Sequence, residues 1–166
     1  MDLFLKLAWL AGIIDGEGCI SVYYSQKPRR HRDGHLERRL EPFVTITNTN
    51  EWIIREVQDI AKLIGVEWNV QLSVDRKKPD RKPCWTISFK ASIRAAKLLM
   101  AVMPYLVGKK RQAELVLELI KHRRNIIKFG HLARRHGHSL LDDKSIRLAE
   151  DVRNLNAKGR QKELRI

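Results

Sequence analysis

The stretch from Leu10 to Gly18, LAGIIDGEG, sets two carboxylates, Asp15 and Glu17, among glycines in a chain whose 33 Lys and Arg outnumber its 19 Asp and Glu. Acids held apart by single glycines in so basic a chain, net +14, invite a specific task. The other reactive groups are mostly cationic. Lys27, Arg29, Arg30, Arg32, Arg38 and Arg39 crowd one stretch, and Arg76, Lys77, Lys78, Arg81 and Lys82 crowd a second. Such clusters neutralise phosphates, so nucleic acid is the first partner to consider. The six histidines offer a rival chemistry, with His31 and His35, or His136 and His138, as metal or base residues. They sit in loops without a paired carboxylate or cysteine. Cys19 and Cys84 are too few and too far apart for a disulfide framework or a zinc pair.

These groups must be positioned by elements whose periodicity is legible. With 166 residues, 43% of them hydrophobic, the chain can build one domain around a real core. No apolar run approaches the roughly 20 residues of a spanning helix. The opening MDLFLKLAWLAGIID carries an acid where a signal peptide would have its cleavage site. The expectation is an intracellular protein of cytoplasm or organelle matrix, not secreted and without a membrane partner. Leu3, Leu7, Leu10 and Ile14 recur at helical spacing. After Gly18 the period becomes two, with Ile20, Val22 and Tyr24 alternating with Ser21, Tyr23 and Ser25. Phe43–Thr47 reads as the returning strand, Val44 and Ile46 on one face and Thr45 and Thr47 on the other. Asn50 caps a second helix striped by Ile53, Val57, Ile60, Ala61 and Ile64 and stopped by Gly65. A second hairpin alternates Trp68, Val70, Leu72 and Val74 with Asn69, Gln71 and Ser73, then Trp85, Ile87 and Phe89 with Thr86 and Ser88. Ser92 caps a third helix ending near Pro104. A long helix follows from Lys109 to about Lys128, and a shorter amphipathic pattern spans Asp142–Asn156.

Four such strands suit one antiparallel sheet, apolar on the helix side, with Ser21, Tyr23, Ser25, Thr45, Thr47, Asn69, Gln71, Ser73, Thr86 and Ser88 on the open face. A solvated face with charged turns is the ordinary state of an antiparallel sheet. The scarcity of acids on this face, and the cations at its tips, favour readout of a DNA groove. On the first helix, Ala8, Gly12 and Gly16 recur every four residues. Each glycine there costs about 1 kcal/mol relative to alanine, and close approach of a second helix supplies a reason for them.

LAGIIDGEG, followed by a strand, resembles the LAGLIDADG motif of homing endonucleases, site-specific DNA nucleases usually encoded within introns or inteins. The positions match by identity or by swaps among aliphatics or acids, and Gly16 is a common variant of the motif alanine. The resemblance implies an α+β, αββαββα fold with a four-stranded antiparallel DNA-binding sheet. The whole chain, 1–166, is then one endonuclease domain, its core at about 3–128 and a C-terminal helical extension at about 131–166. That extension is similar to the one in single-motif members associated with ribosomal RNA introns. By the same resemblance, Glu17 and the carbonyl of Gly16 hold Mg2+, with Mn2+ substituting and Ca2+ binding without supporting cleavage. Lys109, placed after Pro104, polarises water or phosphate; a cation is disfavoured at a helix N-terminus, which also points to a use for it. Asn48, or Thr49 if the alignment slips by one, holds a metal-bound water. A basic residue that relatives carry early in the second helix has no clear match, since Trp52 and Ile53 occupy that region and Arg55 is the cation at hand.

One motif implies two chains, hence a homodimer on nearly palindromic double-stranded DNA with Ala8, Ala11, Gly12 and Asp15 at the core of its interface, Asp15 being structural rather than ligating. The implied reaction is metal-dependent hydrolysis of both strands of a long site, leaving short 3′ overhangs. The alternatives are a maturase that acts on intron RNA and a noncatalytic DNA-binding regulator. The presence of Glu17 and Lys109 favours the nuclease.

Overall fold

A computed structural model describes residues 2–24, 29–30, 36–37, 40–74, 80–129 and 142–162. Ser25, Lys27, Arg32, Arg38, Arg39, Arg76, Lys77 and Lys78, and the histidines at 31, 35, 136 and 138, lie outside the described residues. Helix α1 (Leu3–Glu17) starts at Asp2, whose side chain accepts from the Phe4 amide, and buries Leu7, Leu10, Ala11 and Ile14. Leu3 falls on the same face by spacing yet is 44% exposed. It is the first residue of the helix, a turn before the buried set begins at Leu7. The helix continues past Ile14 to Glu17 and turns directly into strand β1 (Gly18–Tyr24). Only glycine fits this corner, because a Cβ on Gly18 would come within 2.7 Å of the Ile14 carbonyl oxygen.

The main sheet has the order β1-β4-β6-β5, with β4 at Leu40–Asn48, β5 at Asn69–Ser73 and β6 at Cys84–Lys90. A short antiparallel ribbon, β2 (Arg29–Arg30) with β3 (Leu36–Glu37), stands in what the sequence presents as one long basic tip. β4 and β6 pair antiparallel from Phe43↔Lys90 to Asn48↔Trp85, and β5 and β6 from Asn69↔Ser88 to Ser73↔Cys84. Period two then buries Val44, Ile46, Ile87 and Phe89 completely. Helices α2 (Glu51–Leu63) and α3 (Ser92–Val102) pack on β6. The expected apolar face of β5 is a correction: every residue of the strand is exposed, with Val70 36% and Leu72 44% accessible, as is Val74 just after it at 57%. As the edge strand it pairs only with β6, so alternation in its sequence reports strand geometry without reporting a covered face.

Asn50 caps α2 through the Trp52 amide, and Gly65 follows the helix at φ +64. Ile54, rather than Ile53, is buried beside Val57, Ile60 and Ala61. Ser92 is not the cap of α3. That place belongs to Ala91 at φ 77, which makes no side-chain cap bond, because the chain reverses one residue earlier than the serine suggests. A 3-10 turn at Met103–Tyr105 leads towards helix α4 (Lys110–Phe129), and α5 (Asp143–Lys162) is longer than the amphipathic pattern implies. Among the described residues, no helix is long and apolar enough to cross a membrane.

The chain divides into two compact units. The first, Met1–Ile20 with Phe43–Lys110, holds α1, α2, α3 and the paired parts of β4, β6 and β5. The second comprises Ser21–Pro42 and Arg111–Ile166, and its interior includes Val22, Leu40, Val116, Leu119, Leu148 and Val152. Within it α5 is tied to α4 by Lys144 to Glu118 at 3.0 Å and by His122 Nε2 to Asp142 Oδ2 at 2.6 Å. Arg123 Nη1 donates to the Leu40 carbonyl at 2.6 Å.

Asp142 also caps α5, its Oδ1 accepting from the Ser145 amide at 2.7 Å. Burial alone would raise its pKa, but hydrogen bonds from Ser145 and His122 hold it below the ordinary 3.8. A depressed carboxyl stabilises the fold fully above its unfolded pKa and loses that effect as pH falls through the folded value. Asp142→Ala is therefore expected to cost about 1 kcal/mol at neutral pH, as loss of a cap does, and almost nothing in strong acid. Denaturant midpoints of the two proteins at the two extremes check this.

Candidate active site

The last turn of a helix leaves carbonyls without helical donors. At the end of α1 the Gly18 amide reaches Ile13 and Ile14, and Lys109 brings a second donor. Its ammonium donates to the Ile14 carbonyl at 2.9 Å and to the Asp15 carbonyl. Asp15 returns the contact: Oδ2 accepts from the Val107 amide and Oδ1 from the Lys109 amide, both at 2.8 Å. A cation thus sits at a helix C-terminus and an anion just ahead of the α4 N-terminus, both favourable to the peptide dipoles. Burial lowers the Lys109 pKa, and the Asp15 charge opposes that shift. For Asp15, burial works upward but is outweighed by the amides of Val107, Lys109 and Gly108, and its carboxyl ends below the usual value.

This clasp changes what was expected of two residues. Asp15, assigned to the interface between chains, uses both oxygens inside its own chain, and Ala11 is fully buried in its own core. Of the expected interface set, Ala8 and Gly12 remain exposed. Lys109 lies at the motif as expected, with its ammonium engaged by the α1 carbonyls.

Glu17 is left open. At 100° per residue it projects about 200° around the helix from Asp15, and it is exposed where Asp15 is only partly so. Asn48 Nδ2, at the end of β4, donates to Glu17 Oε2. The amide can take only this orientation, because Asn48 Oδ1 accepts from the Asn50 backbone N–H at 2.7 Å. Asn50 Oδ1 in turn accepts from the Trp52 amide at 3.0 Å. Of the two candidates Asn48 and Thr49, Asn48 is the one whose side chain bonds Glu17. Among the described residues no group of three or more His, Cys, Asp or Glu could hold a metal alone. Magnesium fits that condition: it takes one or two carboxylates, keeps waters and completes its shell with substrate phosphate. Glu17 and the Gly16 carbonyl are the oxygens that the resemblance assigns to it, and both residues are exposed.

The open face of the sheet carries Thr45, Thr47, Asn69, Gln71, Ser73 and Thr86, with Thr47 and Thr86 hydroxyls 3.1 Å apart. Ser88 is on this face but only 7% exposed, with its hydroxyl 3.4 Å from the Asn69 carbonyl. A hollow of about 360 Å³ is lined by Thr45, Asn69, Gln71, Thr86, Ser88 and Lys90, together with Val70. Lys90 was missed by sequence reasoning, although alternation from Thr86 through Ser88 arrives at it. On β1, Tyr23 is 54% exposed and Ser21 partly so, alternating with buried Ile20 and Val22. Arg81 and Lys82 are exposed. Of the paired tip residues, Arg29 and Arg30 form β2.

Removing the Asp15 carboxylate strands two amides, and hydrogen bonds to charged groups contribute about 1.5–3 kcal/mol each when well buried. Here the group is partly exposed, so Asp15→Ala is expected to cost about 1–3 kcal/mol. Asp15→Asn, which keeps one acceptor oxygen, should cost less. Urea unfolding of the two variants beside the parent gives the comparison.

No protein-family model matches the chain. DNA endonuclease I-CvuI of Chlorella vulgaris is 29% identical over 119 residues, which span 70% of this chain and 65% of that protein's length. The crystal structure of I-CvuI with the I-CreI target and Mg aligns with a TM-score of 0.54 and 25% identity, covering 93% of this chain and 94% of that one. The DNA complex of the archaeal intron-encoded I-Vdi141I gives 0.51 at 17% identity, covering 92% and 98%. The motif closing α1 and the αββαββα order resemble those of LAGLIDADG homing endonucleases, and the chain is similar in sequence and fold to the DNA endonuclease I-CvuI.

Proposed function

We propose that the protein is a magnesium-dependent DNA endonuclease that acts as a homodimer on a long, nearly palindromic site. The observation that carries this reading is the exposed Glu17 carboxylate, bonded by Asn48 at the end of the helix whose Ile14 and Asp15 carbonyls Lys109 binds. The relatives support it, since I-CvuI is named a DNA endonuclease and its structure is a DNA complex with Mg. A maturase or regulator has no need of a carboxylate presented in this way.

Glu17 and the Gly16 carbonyl bind the ion, which when present supplies positive charge at the phosphate and acidifies a bound water. Asn48 restrains the Glu17 carboxylate so that its oxygens do not reorganise during reaction. Lys109 keeps positive charge at the base of the motif helix, where charge accumulates on the phosphate oxygens. Water oxygen bonds to phosphorus, the P–O3′ bond breaks, and the proton released on one side balances the one taken up by the 3′ oxygen. The uncharged sheet face with Thr45, Thr47, Gln71 and Thr86 reads base edges, and the cationic tips hold the backbone.

Pairing of chains rests on the glycines. A Cβ at Gly12 or Gly16 would meet nothing within 4 Å outside its own helix backbone, so no contact among the described residues explains residues that each cost about 1 kcal/mol in a helix. The same helix exposes Phe4 at 66% and Leu5 at 60%. A second copy laid on that side accounts for both, and its two-fold axis repeats the site once per DNA strand, producing staggered cuts with short 3′ overhangs.

Supercoiled plasmid carrying the insertion-site junction should be linearised by the parent with Mg2+. Glu17→Gln should bind the same DNA without cutting it, and Asn48→Ala should cut about 10–100-fold more slowly. Equal cleavage by parent and Glu17→Gln removes the nuclease reading. Gly12→Leu, at an exposed position where an added Cβ meets nothing within 4 Å among the described residues, should stay folded and sediment as a monomer where the parent sediments as a dimer.

A further inference from the structure

Side-chain length explains the hollow on the open face of the sheet. Ser88 is its short member, 7% exposed and set between Thr86 and Lys90 on the same face of β6. Across the pairing it meets Thr45 on β4 and Asn69 on β5, and Gln71 follows Asn69 on that face. One small residue ringed by longer ones leaves a recess of about 360 Å³.

The groups around this recess are not equally free. The Ser88 hydroxyl donates to the Asn69 carbonyl at 3.4 Å, and the Thr86 hydroxyl is bonded to that of Thr47 at 3.1 Å. Lys90 is exposed at the end of β6, and its ammonium has no hydrogen-bond or ion-pair partner among the described residues. It is the one cation lining the recess; the other lining residues are uncharged.

An ammonium has three donors and no acceptor. Guanine alone offers it two acceptors in the major groove, N7 and O6. Adenine sets an amino donor beside its N7, cytosine presents an amino donor, and thymine sets a methyl group beside its one acceptor. A phosphate would also satisfy the charge, but phosphate contacts suit the exposed cations at the tips, Arg81 and Lys82 among them. Lys90 instead borders a recess of uncharged hydrogen-bonding groups, which is the setting in which base edges are read.

We infer that Lys90 specifies one guanine in each half of the DNA site, its ammonium donating to N7 and O6 while the base pair faces the recess at Ser88. The inference rests on the endonuclease reading for its ligand, and it adds to that reading one base and the residue that selects it.

Duplexes that the protein retains from a randomised pool in EDTA report its base preference at every position without cleavage. The parent should retain guanine at one position in each half-site, and adenine there should weaken binding about 5- to 150-fold. Replacement by 7-deazaguanine, which keeps O6 and lacks the N7 acceptor, should weaken it by a smaller factor. Lys90→Met should accept any base at that position, keep the preferences elsewhere and keep the slope of log K against log salt. Lys90→Arg, whose fork also donates to N7 and O6, should keep the guanine. An unaltered preference in Lys90→Met, or loss of preference for a base other than guanine, overturns the inference. So does a weakening equal for all sequences with the slope reduced by about 0.9, the mark of a phosphate contact. A parent protein that retains no preferred sequence contradicts the endonuclease reading instead, so the two failures are distinguishable.

Discussion

Two side chains, Asp15 and Lys109, exchange ends across the junction of α1 and the turn before α4. The carboxylate satisfies the Val107 and Lys109 amides while the ammonium satisfies the Ile14 and Asp15 carbonyls. Helix ends otherwise leave such groups to solvent or to unrelated side chains. Here one reciprocal pair closes both, with charges of the sign each dipole prefers. The rest of the site depends on this junction. It fixes where α1 stops, and thereby where Glu17 stands relative to the end of β4 and to the open face of the sheet.

The division of labour between neighbouring acids follows from helix geometry. Asp15 and Glu17 are two residues apart, so they project to different sides, one inward to the α4 turn and one outward to solvent. A carboxylate that accepts two backbone amides has little capacity left for a metal. The exposed one is bonded by the Asn48 amide. Gly18 completes the arrangement by letting β1 leave the helix at a corner where any side chain would strike the Ile14 backbone. Motif glycines therefore have separate causes. Gly18 is required within the chain, whereas a Cβ at Gly12 would meet nothing within 4 Å among the described residues.

Much of this was legible before the fold was known. The αββαββα order follows from shifts between helical and two-residue periods, and the Asn50 cap and Gly65 stop fall where local chemistry puts them. Glu17, Asn48 and Lys109 came from resemblance on the motif and on spacing after Pro104, and the structure brings all three to one end of α1. What sequence could not show was long-range. That Asp15 would turn to the α4 turn rather than to another chain depends on contacts more than ninety residues away. Ala11 fits an interface and a core equally well until packing decides. Apolar alternation in β5 does not reveal that it is an edge, because edge position is set by pairing order and not by composition.

The central claim is that each chain presents Glu17, at the clasped end of its motif helix, as the protein carboxylate of a divalent-ion site on DNA. Crystals of the protein with its target and Mn2+, measured at the manganese absorption edge, test it most directly. The account predicts anomalous density against the Glu17 carboxylate of each of two chains related by a two-fold axis, with a DNA phosphate on the far side of the ion. Density centred elsewhere in the protein, or a DNA complex in which Glu17 faces neither ion nor phosphate, would contradict it.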